Sequence, residues 1–257
     1  MRFLSLDTET TGLDPKRDRI IEVGWALADD QHGILLTGGG LIKAVPGEPL
    51  LTDEIIRLTG ITDAQRIEFG RPLIDVLGEA AAVVEKHEVE HLVGHNLEFD
   101  RGFINPAVAN FLLGHCSRLT TLPGIDTKTD LPLDYEPENT SLKSMLADHR
   151  MINVVPHRAL FDAVMTAMLV LEYPYDAVLR RASSPTLLLH ADVPFALNAL
   201  PKALRFQWEP DTKRWLRKTK ECDLDKVTGA WKKTKERLAT ETGNQAFASA
   251  ALRKVPA

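Results

Sequence analysis

Acidic side chains occur at three places where a predicted strand or loop passes into the next element. Asp7 and Glu9 lie two residues apart near the end of an apolar run, so an extended backbone would point both carboxylates to one face. Asp100 and Asp162 fall at the starts of two predicted helices. Anions held close together repel each other, and a hard dication such as Mg²⁺ or Mn²⁺ relieves that repulsion. The pattern therefore favours a site for divalent metal ions.

A histidine accompanies the last of these acids. His157 follows Pro156 and precedes Asp162 by five residues, at the point where a loop enters a helix. An imidazole with an ordinary pKa near about 6.5 suits proton removal at neutral pH. Strand ends and helix starts gather at one edge of an α/β sheet, so we expect this histidine to meet the acids there.

The predicted elements supply such an edge. Period-two apolar patterns predict strands at the N-terminus and over 20–28, 34–45, 92–96 and 124–127, the third of them broken by three glycines. The strand over 20–28 would place Ile21, Val23, Trp25 and Leu27 on one face. Helical spacing and capping residues predict helices over 52–60, 72–86, 98–113, 141–149 and 158–173. This order predicts a single α/β domain over residues 1–182, with a mixed sheet flanked by helices. Pro185 and the serines before it mark the expected boundary.

Three motifs in this context resemble one known family. They are Asp7-x-Glu9-Thr10-Thr11-Gly12, His95-Asn96-x2-Phe99-Asp100 and His157-x4-Asp162. Together they are similar to the three-motif signature of the DEDDh 3′–5′ exonucleases, over roughly residues 2–173. The resemblance implies a ribonuclease-H-like fold and hydrolysis of phosphodiester bonds by a two-metal mechanism.

The resemblance also implies roles for single residues. Four carboxylates would hold two Mg²⁺ or Mn²⁺ ions, and His157 would be the general base that activates water. Six further residues would lie against the substrate or near the site: Thr10, Thr11, Leu13, His95, Asn96 and Phe99. Two alternatives stay open. His95 and Asn96 would equally serve to hydrogen-bond the motif loops, and the threonines would equally form a simple turn. The metal ligands implied are Asp7, Glu9, Asp100 and Asp162.

The C-terminal part differs in charge. Residues 201–257 hold 14 basic and 7 acidic side chains, a net charge of +7, whereas residues 1–200 hold 17 and 29, a net charge of −12. We predict a small α+β module over 186–257, with a strand over 186–190, a helix over 196–203, a basic helix over 231–237 and frayed residues after about 240. A hairpin turning at 209–213 would present an apolar face of Phe206, Trp208 and Trp215. Aromatic and basic side chains together favour nucleic-acid binding, although the tryptophans would equally form the module's own core.

Composition bears on whether the protein is membrane-bound, secreted or cytoplasmic. No apolar run approaches the roughly 20 residues of a membrane span, and we expect no signal peptide. Cys116 and Cys222 are far apart and have no metal-type spacing, which favours a reducing cytoplasm.

The sequence thus predicts a cytoplasmic 3′–5′ exonuclease that releases nucleoside 5′-monophosphates. DNA is the preferred substrate, and an RNA-trimming enzyme is the alternative. A nucleic-acid-binding or polymerase accessory protein without catalysis is the hypothesis from another class. A polymerase or replication protein is a candidate partner, and the oligomeric state is left open.

Overall fold

The structure is a computed structural model and describes residues 1–111 and 117–255. Cys116 and the end of the helix predicted over 98–113 lie outside the described residues. Two compact units are formed, Met1–Ala182 and Ser183–Ala257. We describe each unit separately.

The first unit is built on a five-stranded mixed sheet in the order β3-β2-β1-β4-β5. The first three strands are antiparallel neighbours, and the last two run parallel to β1. The strands are β1 (Arg2–Thr10), β2 (Ile20–Asp29), β3 (Gly33–Leu41), β4 (His91–Gly94) and β5 (Gly124–Asp126). The predicted mixed α/β sheet is confirmed.

Capping residues mark the ends of some helices in the first unit. Thr52 and Ser141 accept hydrogen bonds from backbone N–H groups of the first turn, and Gly60 ends its helix in the left-handed conformation. The helices are α1 (Asp53–Thr59), α2 (Asp63–Phe69), α3 (Leu73–Lys86), α4 (Leu97–Phe111), α5 (Ser117–Thr121), α6 (Leu142–Asp148), α7 (Ala159–Leu171) and α8 (Tyr175–Ala182). Sequence patterns did not predict α2, α5 or α8, each of eight residues or fewer.

The sheet separates two cores. Leu4 and Leu6 of β1 pack with α3 and α4, whereas Phe3 packs with α7 and α8 on the other face. Side chains alternate along a strand, so the odd-numbered residues of β1 point towards α7. This alternation decides which helix the acids of β1 meet.

Two expectations for the antiparallel strands were wrong in detail. The glycines of 38–40 do not break β3, because they make room for its neighbour: a Cβ on Gly38 would lie 2.2 Å from the indole of Trp25. Ile21 does not share a face with Val23 and Trp25. The register between β1 and β2 shifts at Glu9 and Thr10, and Ile21 packs in a separate cluster with Leu51 and Ile61.

The second unit has a four-stranded antiparallel sheet in the order β7-β8-β6-β9. Its strands are β6 (Thr186–Asp192), β7 (Gln207–Glu209), β8 (Arg214–Lys220) and β9 (Ala251–Val255), and its helices are α9 (Ala199–Ala203) and α10 (Leu224–Thr242). A short 3₁₀ turn over Phe195–Leu197 precedes α9. The second sheet, including the predicted hairpin, is therefore present.

One expectation for the second unit was wrong. Residues 241–255 are not frayed, because Ala251–Val255 forms a strand that pairs with β6. The two alternatives left open for the tryptophans divide between them: Trp215 is buried in the module's core with Phe206, whereas Trp208 is 41% exposed. Trp231 of α10 also belongs to this core.

No helix in the described part of the chain is long and apolar enough to cross a membrane. Cys222 is an exposed free thiol.

Candidate active site

The last residues of β1 place two carboxylates beside β2. Asp7 lies opposite Gly24 and Glu9 lies opposite Glu22 in the antiparallel register. Both acids are odd-numbered residues of β1 and share the face on which Phe3 meets α7. The two carboxylates therefore lie on one side of the sheet, as their spacing of two residues predicts.

A glycine allows α7 to approach that side. A Cβ on Gly24 would lie 2.1 Å from the backbone nitrogen of Leu160 and 2.2 Å from the carbonyl carbon of Ala159. Only a residue without a side chain permits this contact between a strand and the first turn of a helix. Because Gly24 is opposite Asp7, the start of α7 is held directly beside the acids of β1.

An ion pair between the buried Glu22 and the half-buried Arg158 fixes the same helix start. Glu22 accepts hydrogen bonds from Arg158 Nε and Nη2, the latter at 2.8 Å, and from the backbone N–H of Ala159 at 2.9 Å. Sequence analysis missed both charged residues. Glu22 lies within an apolar strand pattern and Arg158 precedes a helix, so neither had a local signal beyond its charge in an otherwise apolar segment.

Asp162 and His157 lie at this anchored segment. The carboxylate of Asp162 accepts the backbone N–H of His157 at 2.9 Å and the side-chain amide of Asn153. His157 has a φ of 60°, a left-handed conformation that is uncommon for a residue with a side chain. The hydrogen bond to Asp162 stabilises this conformation, and the exposed imidazole remains beside the acid.

Asp100 reaches the site from α4, on the other side of β1. It is buried, and its carboxylate accepts the hydroxyl of Thr8 at 2.7 Å. Thr8 lies between the two acids of β1 and points to the opposite face. Asp100 is thereby tied to the strand end that carries them.

Burial, and repulsion between neighbouring acids, raise the pKa values of these four carboxyl groups. Burial raises the pKa of Asp7 well above its ordinary value, and Asp100 and Asp162 raise it further. Burial raises the pKa of Glu9 to about 8, with added repulsion from Asp162, although Arg158 opposes this shift. Burial likewise raises the pKa of Asp100 to about 7, against the hydrogen bonds from Thr8, and raises that of Asp162. If all four carboxyl groups were ionised, too little positive charge would lie nearby to balance them.

These side chains fit a divalent cation. One ligand atom each of Glu9, His157 and Asp162 lies within 4.8 Å of the others. Asp7 is half-buried and Asp100 is buried, and the ionised forms of their carboxylates repel the same set. Oxygen-rich, strongly acidic sites suit hard dications, which would lower all of the raised pKa values together.

The turn after β1 contains three of the predicted substrate residues. Thr10 donates its hydroxyl hydrogen to the carbonyl of Gly12 at 2.6 Å, and Thr11 donates to Asp18 at 3.1 Å. Both hydroxyls therefore have a role in the turn itself. Leu13 is 83% exposed and presents an apolar side chain to solvent.

The three predicted residues near Asp100 occupy different environments. His95 uses both ring nitrogens within the protein, one on Thr127 and one on the carbonyl of Thr140, each at 2.8 Å. Asn96 is exposed, has a φ of 77° and donates its backbone N–H to Asp126. Phe99 packs against the core of α3 and α4. Of the two alternatives for His95, these contacts favour positioning of the motif loops.

Comparisons with known proteins agree with this arrangement. Residues 4–170 match the sequence profile of the Exonuclease family, RNase_T. The chain is 33% identical over 186 residues to the DNA polymerase III PolC-type of Halalkalibacterium halodurans, covering 69% of this chain and 12% of that protein. It is 29% identical over 196 residues to the 3′-5′ exonuclease DinG of Bacillus subtilis, covering 71% of this chain and 19% of DinG. The chain thus spans only a small part of the relatives' lengths.

A solved structure shares the fold. The nuclease domain of 3′hExo, a DEDDh family member bound to rAMP, superposes with a TM-score of 0.57 at 21% identity, over 68% of this chain and 92% of that one. DEDDh exonucleases use divalent metal ions, in agreement with the acidic cluster. Because the family profile matches well over half of its 257 residues, this chain belongs to the DEDDh-type exonuclease family.

Proposed function

We propose that the protein is a 3′–5′ exonuclease that hydrolyses the terminal phosphodiester bond of DNA and releases nucleoside 5′-monophosphates. The observation that carries this proposal is that ligand atoms of Glu9, Asp162 and the exposed His157 lie within 4.8 Å of one another, with the carboxylates of Asp7 and Asp100 close enough to repel them. Neither nucleic-acid binding alone nor a structural role calls for such repulsion in one place, since unpaired buried charge destabilises a fold.

Asp7, Glu9, Asp100 and Asp162 would hold two divalent ions, Mg²⁺ or Mn²⁺. When bound, the ions would neutralise the phosphodiester and activate the attacking water. The chain itself orients this set: β1 presents two of the carboxylates, Thr8 holds Asp100, and the backbone of His157 holds Asp162.

His157 is the proposed general base. Its imidazole is exposed and lies within 4.8 Å of the carboxylates of Glu9 and Asp162, so water beside the cluster is within its reach. The proton taken from water would leave on the solvent side of the ring. Leu13 and the turn of Thr10 and Thr11 would contact the terminal nucleotide.

The preference for DNA is supported by the similarity to a DNA polymerase. A polymerase or another replication protein is accordingly the class of partner that we propose. RNA trimming is the second candidate, and the observation that favours it is the likeness to a nuclease domain bound to rAMP.

The test uses oligonucleotides labelled at the 5′ end, as single-stranded DNA, double-stranded DNA and RNA. Each is incubated with Mg²⁺, with Mn²⁺ or with a chelator, and Asp7→Ala is the control. We expect wild-type protein with metal to produce a ladder that shortens from the 3′ end, and to shorten RNA most slowly. An equally fast ladder with Asp7→Ala, or with chelator, would refute the site. Binding without any hydrolysis would leave a non-catalytic nucleic-acid-binding protein.

A further inference from the structure

A cavity of about 340 Å³ lies in the second unit, away from the acidic cluster along the chain. It is lined by the end of β6, the segment that follows β6 and the β7–β8 hairpin. Its volume is at the lower end of the range of small-ligand sites, which suits one nucleotide or a group of that size.

Two of the aromatic side chains that line this cavity are exposed to solvent. Phe195 is 74% exposed and Trp208 is 41% exposed, although both are large and apolar. Trp208 packs on the buried Trp215 with ring centroids 5.4 Å apart, which holds its position in the hairpin. The segment of Phe195 is held by the buried Leu197 two residues later. Two fixed, exposed rings at one cavity favour a planar ligand.

The charges around the cavity are positive. Lys213 and Arg214 line it and are exposed, and neither has a carboxylate within ion-pair distance among the described residues. The acid in the lining, Asp192, is neutralised by Arg253 at 2.7 Å. Residues 201–257 as a whole carry a net charge of +7. A ligand that combines a flat apolar surface with negative charge matches both properties.

We propose that this cavity binds single-stranded nucleic acid, with an unpaired base stacked on Trp208 or Phe195 and the adjacent phosphate held by Lys213 and Arg214. Aromatic faces accept any base, and cations track the backbone. A duplex hides its base faces and would engage only the cations. The choice of nucleic acid as the ligand rests on the proposed function. The cavity would be a second binding site for the substrate, separate from the site of hydrolysis.

The first experiment measures binding without hydrolysis. The full chain carrying Asp7→Ala is titrated, in chelator, with a fluorescein-labelled oligothymidylate, and anisotropy gives Kd. We expect the variant that removes the stacking ring, Phe195→Ala or Trp208→Ala, to weaken binding by at least about fivefold, the lower end of what one base–aromatic stack contributes. Phe195→Ala removes a mostly exposed ring, so its effect does not depend on unfolding. Unchanged binding in both variants would overturn the proposal.

The second experiment separates stacking from charge. A strand of the same length with abasic positions keeps its phosphates but has no bases to stack, so it should bind wild type weakly and be insensitive to Trp208→Ala. Lys213→Ser with Arg214→Ser should weaken binding and flatten its salt dependence, by about 0.7 in slope for each phosphate that is no longer neutralised. Equal affinity for the abasic strand or for duplex DNA would overturn the stacking site.

Lys232→Ser with Lys233→Ser is the matched charge control, because both lysines are exposed on α10 and do not line the cavity. A larger effect from this pair than from Lys213 and Arg214 would place the binding surface on α10 and refute the proposal. Hydrolysis and stacking can fail separately. Base-dependent binding without hydrolysis would refute only the proposed exonuclease function. Hydrolysis with unchanged binding in every cavity variant would refute only the proposed stacking site.

Discussion

Glu22 and Arg158 are 136 residues apart in the chain and form a salt bridge of 2.8 Å at the edge of the acidic cluster. Glu22 lies on β2 opposite Glu9, and Arg158 lies between His157 and the first turn of α7. The pair therefore joins β2 to the segment that carries the histidine. Its geometry makes Glu22 a positioning residue for the histidine segment.

Glu22→Gln should lower kcat by about 10- to 100-fold, as removal of a partner that orients ligand-bearing groups commonly does. The amide still accepts one hydrogen bond but no longer attracts the guanidinium of Arg158. Steady-state kinetics and a metal titration on the same preparation check this. KM should change little, because the carboxylate of Glu22 is buried and bound to Arg158 and the N–H of Ala159.

Glu79→Gln is the matched control, since Glu79 pairs with Arg71 in an exposed ion pair. It should keep wild-type kinetics. A Glu22→Gln enzyme with wild-type kcat would show that the ion pair does not orient the site.

Gly24→Ala should damage both stability and activity. The added methyl would lie 2.1 Å from the backbone of Leu160, so α7 has to move away from β1. Such overpacking costs about 1–3 kcal/mol, and the displacement separates Asp162 from the acids of β1. Urea unfolding and the rate of hydrolysis measure the two effects.

Gly78→Ala provides the comparison, because a Cβ there meets nothing within 4 Å and the residue lies within α3. This variant should gain up to about 1 kcal/mol and keep full activity. If Gly24→Ala behaved in the same way, close packing of α7 on β2 would not matter to the site.

Metal binding should release protons. The pKa of Glu9 is raised from 4.5 to about 8 and that of Asp100 to about 7, so at neutral pH the metal-free site holds protons that a dication displaces. Apparent affinity for Mn²⁺ should therefore rise between about pH 6 and pH 8. Calorimetry in two buffers of different ionisation enthalpy counts the protons.

The same raised pKa values determine whether the stability of the metal-free protein rises or falls with pH. A folded-state pKa above the unfolded one stabilises the protein fully below about pH 4.5, and this contribution is lost as the pH rises through about 8. Glu9→Gln should remove the part of this slope that Glu9 contributes. Metal affinity that does not change with pH would contradict the raised pKa values of the acids.

His157→Ala should lower the rate by about 10²–10⁴-fold and leave metal affinity within severalfold of wild type. The four carboxylates remain, and residual hydrolysis should increase with pH as hydroxide replaces the base. His32→Ala, which removes an exposed histidine beside Asp29 at the far end of β2, should be silent. A decrease in metal affinity in proportion to the decrease in rate would make His157 a ligand instead.

Glu48→Gln should destabilise the first unit by less than the roughly 3–5 kcal/mol that a fully unpaired buried charge costs, because the buried guanidinium of Arg66 loses its nearest carboxylate but keeps Asp63 at 3.5 Å. Arg66 and Glu48 are 1% and 5% exposed and are 2.5 Å apart. Burial alone would raise the pKa of Glu48, but hydrogen bonds from Arg66 and the N–H of Val45 outweigh it and lower the pKa to about 2.

The stabilisation from Glu48 is therefore present above about pH 4.5 and is lost as the pH falls through about 2. Thermal unfolding of wild type and Glu48→Gln should converge over that window. A difference that stays constant down to pH 2 would mean that the charge of Glu48 is not what stabilises Arg66.

Local patterns in the sequence determined the elements and the composition of the site. Alternation along β1 and β2, the caps at Thr52, Gly60 and Ser141, and the three spaced motifs depend on residues close together in the chain. They were sufficient to predict the mixed sheet, the family and the acids that should converge. The assignments of roles to those acids and to His157 stay predictions.

Only the tertiary structure decided which elements touch. The approach of α7 at Gly24, the pair of Glu22 with Arg158 and the bond from Thr8 to Asp100 each join distant segments. A strand pattern shows which side of its own element a residue faces, not what is packed there. For the same reason the sequence left open whether Trp208 lies in the core, and only the structure shows that it is exposed and lines the cavity with Lys213 and Arg214.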